Sequence, residues 1–142
     1  MVRAPQGVGA PAPTLSQSLI AQINQYRAGS GAGALAQSGT LTAAAQAYAD
    51  LLFARNPYAL DHFADGGPQD RAARYGYYGS VGEMLAVGQG PEIMNTWLSS
   101  AAHFSIMMDG QYTVIGIGCH EGPYAYQGQT FTIAVCVADL GT

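Results

Sequence analysis

Residues 112–137 read YTVIGIGCHEGPYAYQGQTFTIAVCV, and the way this stretch pairs with itself decides the fold. Two runs within it, Tyr112 to Cys119 and Thr130 to Val137, are rich in β-branched and aromatic residues, and Gln127-Gly128 between them is a turn signal. A turn there sets Tyr126 opposite Gln129 and, seven pairs further back, Cys119 opposite Cys136. Directly opposed strand residues have Cα atoms roughly 4.5–5.5 Å apart, which is disulfide range. The register therefore offers a Cys119–Cys136 bridge, and a bridge favours an exported protein. An alternative stays open at this point. Pro123 cannot donate to the ladder, so a bulge near Gly122-Pro123 would shift the register and leave two buried thiols.

Upstream of the hairpin the pattern turns helical. Leu15, Leu19, Ile23 and Tyr26 recur at helical spacing, which predicts an amphipathic helix over 15–28 that ends in Gly29-Ser-Gly-Ala-Gly33. Leu41, Ala45, Tyr48 and Leu52 form the stripe of a second helix, from about Thr40 to Arg55, which Asn56-Pro57 ends. Pro68 opens a short helix through Arg74, and Asp70 sits near its positive end. Val81 to Val87 reads as a short buried strand. Gly90-Pro91-Glu92 starts a helix whose buried side is Ile93, Met94, Trp97 and Leu98, and a further turn or short helix covers about Ala101 to Met108. Helices come first and strands last, with no βαβ alternation. The expected class is α+β, with helices covering a small antiparallel sheet.

At 142 residues the chain is one domain, expected over 15–142, with residues 1–14 as a flexible or polyproline-like lead-in rich in Pro, Gly and Ala. Those opening residues show neither the charged n-region nor the apolar h-region of a secretory leader. The expectation is either a cytosolic protein or one whose leader Met1 has replaced. Charged residues are only 10% of the chain, and its five cations are all arginines, at positions 3, 27, 55, 71 and 74. A net charge of −4 gives no basic footprint for nucleic acid or an anionic membrane, and no apolar run reaches the length of a membrane span.

Against so few charges the candidates for chemistry stand out. His62 lies in a loop beside Asp61 and Asp65, Glu83 is the one ionisable residue in an apolar, glycine-rich stretch, and His103 follows Trp97-Leu-Ser-Ser-Ala-Ala. An ionised carboxylate buried alone costs several kcal/mol, so Glu83 needs a partner or a cavity. Convergence of His62 and His103 on it would give a cluster of the kind that binds a divalent metal or activates water. Spacing does not establish convergence, because no HxxxH or HExxH places two ligands on one helix. Satisfied structural residues are the competing reading. Ser100 and His103 lack the GxSxG elbow of a serine hydrolase, and the GxG fragments at 29–33 and 116–118 lack a nucleotide-binding context. His120-Glu121 reads as a solvated pair near a turn. Tyr75, Tyr77, Tyr78, Tyr124 and Tyr126 read as rim and core residues rather than a ligand platform.

The ordered set Leu19-Ile-x-x-Ile-Asn24-x-Tyr26-Arg27, Leu41-x-x-Ala44-Ala45-x-x-Tyr48-Ala49, His62-x-x-Asp65-Gly66-x-x-x-Asp70-Arg71, Gly76-Tyr77, Gly82-Glu83, Trp97-x-x-Ser100-x-x-His103 and Tyr112-x-x-Ile115-Gly116-x-Gly118 resembles the CAP superfamily. That superfamily joins cysteine-rich secretory proteins, antigen 5 and pathogenesis-related class 1 proteins, and this chain is most similar to its bacterial extracellular branch, over about residues 15–138. The resemblance implies a three-layer α-β-α sandwich and a secreted or periplasmic location. It also implies a central cleft of two His and two Glu, where zinc or another divalent cation is associated with the histidines. Carried over by motif, His62 and His103 match the histidines and metal ligands, and Glu83 matches one glutamate. Ser100 stands where eukaryotic members carry the other, Met84 replaces the usual Asn after Glu83, and Phe104 replaces the Arg common after the second histidine.

Two functions follow from the resemblance and the residues together. One is a secreted, non-enzymatic binding module whose cleft closes weakly on a divalent cation and engages a lipid, cell-wall or protein ligand. The other is a metal-assisted hydrolase with His62 and His103 as ligands and Glu83 as general base.

Overall fold

The computed structural model describes residues 12–142, so most of the expected N-terminal lead-in lies outside the described residues. Nine elements follow: α1 (Leu15–Gly29), β1 (Ala36–Gln37), α2 (Gly39–Arg55), α3 (Pro68–Arg74), β2 (Val81–Gly88), α4 (Glu92–Ser99), α5 (Ala101–Met107), β3 (Val114–Tyr126) and β4 (Gln129–Gly141). Local chemistry explains the starts. Thr14 and Gln17 form a reciprocal capping box on α1, Ser38 caps α2 through the Leu41 amide, and Pro68 occupies the first turn of α3.

The strands form one sheet in the order β1-β3-β4-β2. The β3–β4 hairpin runs unbroken from Tyr126↔Gln129 to Val114↔Gly141, with Pro123 opposite Thr132 and no bulge. Cys119 faces Cys136 at a Cα separation of 4.1 Å and the two are disulfide-bonded, which excludes the free-thiol alternative. One pairing departs from the expected antiparallel pattern. Strand β1, only two residues long, lies parallel to β3 at the sheet edge.

Alternation along β4 sorts the core into two layers. Ala134, Cys136, Ala138 and Leu140 face a cluster with Leu19 and Ile23 of α1, Ile93 and Trp97 of α4 and Met107 of α5. Val135 and Val137 face the other way, onto Ala45, Tyr48, Ala49 and Leu52 of α2. The result is the expected α-β-α sandwich. Arg27, fully buried, ties α1 to the far side by donating to the carbonyls of Gly33, Met107, Asp109 and Tyr112 at 2.7–3.0 Å.

The GxG at 116–118 has a packing role. A Cβ on Gly116 would strike the backbone of Leu41 and Thr42, and one on Gly118 the backbone of Ala45 and Gln46. Their absence lets α2 settle against β3, where the Gln46 amide pairs with the Cys119 backbone, donating to its carbonyl at 2.9 Å and accepting from its N–H at 3.2 Å. No described helix is long and apolar enough to cross a membrane.

Candidate functional site

The second layer carries more than apolar contacts. On β2, Glu83 faces the same side as Leu85, and the register sets it opposite Asp139 of β4. Both carboxylates are buried, with Glu83 5% and Asp139 1% exposed. Glu83 finds its partner in Arg71 of α3. The arginine Nη2 donates to both carboxylate oxygens at 2.7 Å, and the Arg71 side chain is itself 3% exposed. Its Nη1 donates to the carbonyls of His62 at 2.8 Å and Gly66 at 2.6 Å, while its guanidinium lies 3.4 Å from the Tyr48 ring centroid. The Tyr48 hydroxyl in turn donates to the Asp61 carbonyl and accepts from the Ala64 amide. Arg71 and Tyr48 thus clamp the backbone of the loop that bears His62.

Glu83 fixes the His62 ring as well. His62 Nδ1 lies 3.0 Å from Glu83 Oε1, and because a carboxylate only accepts, that nitrogen carries the hydrogen. The other ring nitrogen, Nε2, is not engaged by Glu83, and the ring is about 40% exposed. This is the carboxylate–histidine arrangement that raises the basicity of a metal-ligating imidazole.

The two carboxyls are pushed in opposite directions. Burial first, then the hydrogen bond and negative charge of Glu83, push Asp139 well above its ordinary value. Burial also pushes Glu83 up, but the hydrogen bonds from His62, Asp139 and Arg71, with the Arg71 charge, hold it below the usual carboxylate range. A raised carboxyl contributes stability below its unfolded value of 3.8 that is lost as pH rises through the folded value. Asp139→Asn puts a neutral amide in its place without that loss. We expect the variant to be at least as stable as the parent near about pH 7, with the advantage vanishing toward about pH 4, in denaturant melts across that range.

His103 approaches from the opposite layer. β2 is an edge strand, so α5 on one face and the His62 loop on the other can meet around it. Burial and then the charge of His62 lower the His103 imidazole, and its Nδ1 is buried without a hydrogen-bond partner. Ser100 caps α5 and receives the His103 amide at 3.4 Å, so it serves to place His103. The structure therefore joins His62 to Glu83 by a hydrogen bond and adds Arg71 and Asp139, which the sequence did not single out, while the His103 side chain makes no hydrogen bond to any of them. Pairing between β2 and β4 would have pointed to Asp139, and the Asp70-Arg71 of the family pattern to Arg71.

Two imidazoles make a narrow donor set. Structural zinc takes four protein ligands and catalytic zinc three, whereas among the described residues no three His, Cys, Asp or Glu side chains form an ion-binding group. Glu83, held on both oxygens, is an orienting group here and not a free base. His120 lies within β3 and pairs with Asp50 at 2.8 Å, not near a turn with Glu121. Tyr124 and Tyr126 line a separate groove, while Tyr77 donates to the Thr142 carbonyl at 2.6 Å.

An α-β-α sandwich with this histidine–carboxylate edge defines a class, and sequence comparison gives its family. The sequence profile of the CAP family, the cysteine-rich secretory protein family, matches residues 20–138, and the chain belongs to it. No curated protein sequence matches. Among solved structures, the chain is similar to an outer surface protein from Borrelia burgdorferi, with a TM-score of 0.69 and 21% identity over 90% of this chain and 93% of that one. It is also similar to an SCP-domain extracellular protein from Bacillus anthracis, with a TM-score of 0.73 and 18% identity over 94% of this chain and 45% of that one. A cysteine-rich secretory protein from Staphylococcus aureus gives 0.60 and 16% over 90% and 39%. This chain spans less than half the length of the last two.

Proposed function

We propose that the chain is a secreted binding module that holds a divalent cation weakly between His62 and His103 and, through an apolar surface beside it, engages a lipid, a cell-wall fragment or a protein. The observation that carries this reading is the His62–Glu83 hydrogen bond, which engages Nδ1, leaves Nε2 of His62 uncommitted to Glu83 and, with Arg71, occupies Glu83. The chemistry an ion would supply is a charged anchor that completes its shell with water or with a ligand oxygen. His62 and His103 would hold it, and Glu83 with Arg71 would orient His62.

The apolar part of the reading rests on the residue that follows each histidine. Phe63 is 72% exposed and Phe104 41% exposed, an arrangement that costs the free protein solvation and suits a partner that buries both rings. The extracellular description of the Bacillus anthracis relative supports the location. Fatty acid, phospholipid vesicles and soluble peptidoglycan fragments should each be offered to the chain and to Phe63→Ser/Phe104→Ser. A rise in melting temperature with at least one of them, lost in the double variant, is the expected result. No rise with any of the three, or an equal rise in both proteins, overturns the apolar contact.

A further inference from the structure

The largest groove lies away from the cleft. Its volume of about 580 Å³ falls within the roughly 300–1,000 Å³ of small-molecule sites. Gly88, the end of β2 beside the groove, is five residues from Glu83, roughly 17 Å along a strand. The hairpin register builds the aromatic wall. Tyr124 and Tyr126, two residues apart on β3, project to one face, and the pairing sets Phe131 of β4 directly opposite Tyr124. Tyr58, from the loop after α2, brings its ring to Tyr124 at 4.9 Å between centroids and 54° between planes. These two rings meet as a corner and not as one flat shelf. Tyr58 and Tyr126 are 52% and 56% exposed, so ring surface is open to a ligand.

One charge accompanies the rings. Gln89 and Glu92, where β2 passes into α4, also line the groove, and no Lys, Arg or His does. Glu92 Oε1 accepts the Gln89 amide at 2.7 Å, and the carboxylate enters no ion pair among the described residues.

We propose that this groove binds a small quaternary ammonium cation of the choline type, with its methyl groups against the aromatic rings and its charge balanced by Glu92. Ring faces carry negative potential and attract a cation within about 6 Å of the centroid. Tilted rings surround a compact cation from more than one side, whereas the face of a sugar calls for a ring laid flat beneath it. A primary ammonium suits the site less well, because its three N–H donors need acceptors that ring faces replace poorly. A quaternary nitrogen has no donor to satisfy. With no basic side chain to meet a tethered phosphate or carboxylate, the groove favours the free monocation over phosphocholine or betaine. This site is separate from the histidines, and its test does not depend on them.

The test is a titration of choline into the full chain, read on the tyrosine ring resonances and on the choline methyl signal. The proposal expects saturable shifts at Tyr58, Tyr124 and Tyr126, an upfield shift of the methyl signal, and no change at Tyr77, which is bonded to the Thr142 carbonyl. The alcohol that carries a tert-butyl group in place of trimethylammonium has the same shape without the charge, and should bind roughly tenfold more weakly. Ethanolamine, betaine and phosphocholine should also bind more weakly than choline. Glu92→Gln keeps an acceptor for the Gln89 amide while removing the charge, and choline affinity should fall roughly tenfold in it. Shifts that are absent, or that reach Tyr77 equally, overturn the proposal. Equal binding of choline and its neutral analogue, equal or tighter binding of any of the other three compounds, or unchanged affinity in Glu92→Gln also overturns it.

Discussion

Replacing Arg71 by Met should destabilise the protein by about 3–5 kcal/mol near neutral pH, because it strips the counter-charge from a buried carboxylate. Glu83 would keep only the hydrogen bonds from His62 and Asp139, and burial would push its carboxyl up instead of down. The sign of the pH dependence follows. In the parent, a lowered Glu83 contributes stability present above its unfolded value of 4.5 and lost as pH falls through the folded value. In Arg71→Met that contribution is gone, so the deficit should be largest near about pH 7 and shrink on acidification toward about pH 4. The same substitution frees the His62 and Gly66 carbonyls, so the His62 loop should lose hydrogen-exchange protection ahead of the sheet. Denaturant melts at both pH values check the first part. A deficit independent of pH would show that Arg71 contributes packing alone. Against a total stability of about 5–15 kcal/mol for a natural domain, the expected loss is large.

Gly118→Ala should cost about 3 kcal/mol, the upper end for overpacking, although it adds a single methyl group. The methyl would meet the backbone of Ala45 and Gln46, which has no rotamer by which to retreat. Relief requires α2 to lift off β3, loosening Tyr48 and with it the clamp on Arg71 and the His62 loop. Gly110→Ala is the control, since nothing lies within 4 Å of its Cβ position, and it should stay within about 0.5 kcal/mol of the parent. Equal melting of the two variants would mean that the helix–sheet spacing does not depend on the missing Cβ.

Much of this architecture was legible because it is local. The Gln127-Gly128 turn and a period of two along the flanking runs are enough to set Cys119 against Cys136, and the helical stripe of α2 is complete within its own residues. Strand β1 was not legible, since two residues cannot display an alternation. The site divides in the same way. Glu83 advertised itself as a carboxylate in an apolar run, but its partners come from α3 and β4, 12 residues before it and 56 after. A seven-residue helix shows no period that would turn Arg71 inward, and Asp139 becomes a neighbour of Glu83 only through pairing between β2 and β4. The GxG at 116–118 carried a true signal of close backbone approach, from a helix and not from a phosphate.

These residues give the chain's low charge a particular arrangement at the site. Two carboxyls and one guanidinium are buried together, and Glu83 at their centre holds the His62 ring through its Nδ1. The proposed cation site adds His103, placed by the cap of α5, as the second imidazole. Calorimetric titration of Zn²⁺ into the parent chain, His62→Ala and His103→Ala tests that account most directly. The account predicts weak, saturable binding in the parent that is lost in each variant. The same heats in all three proteins, or none in the parent, would contradict it.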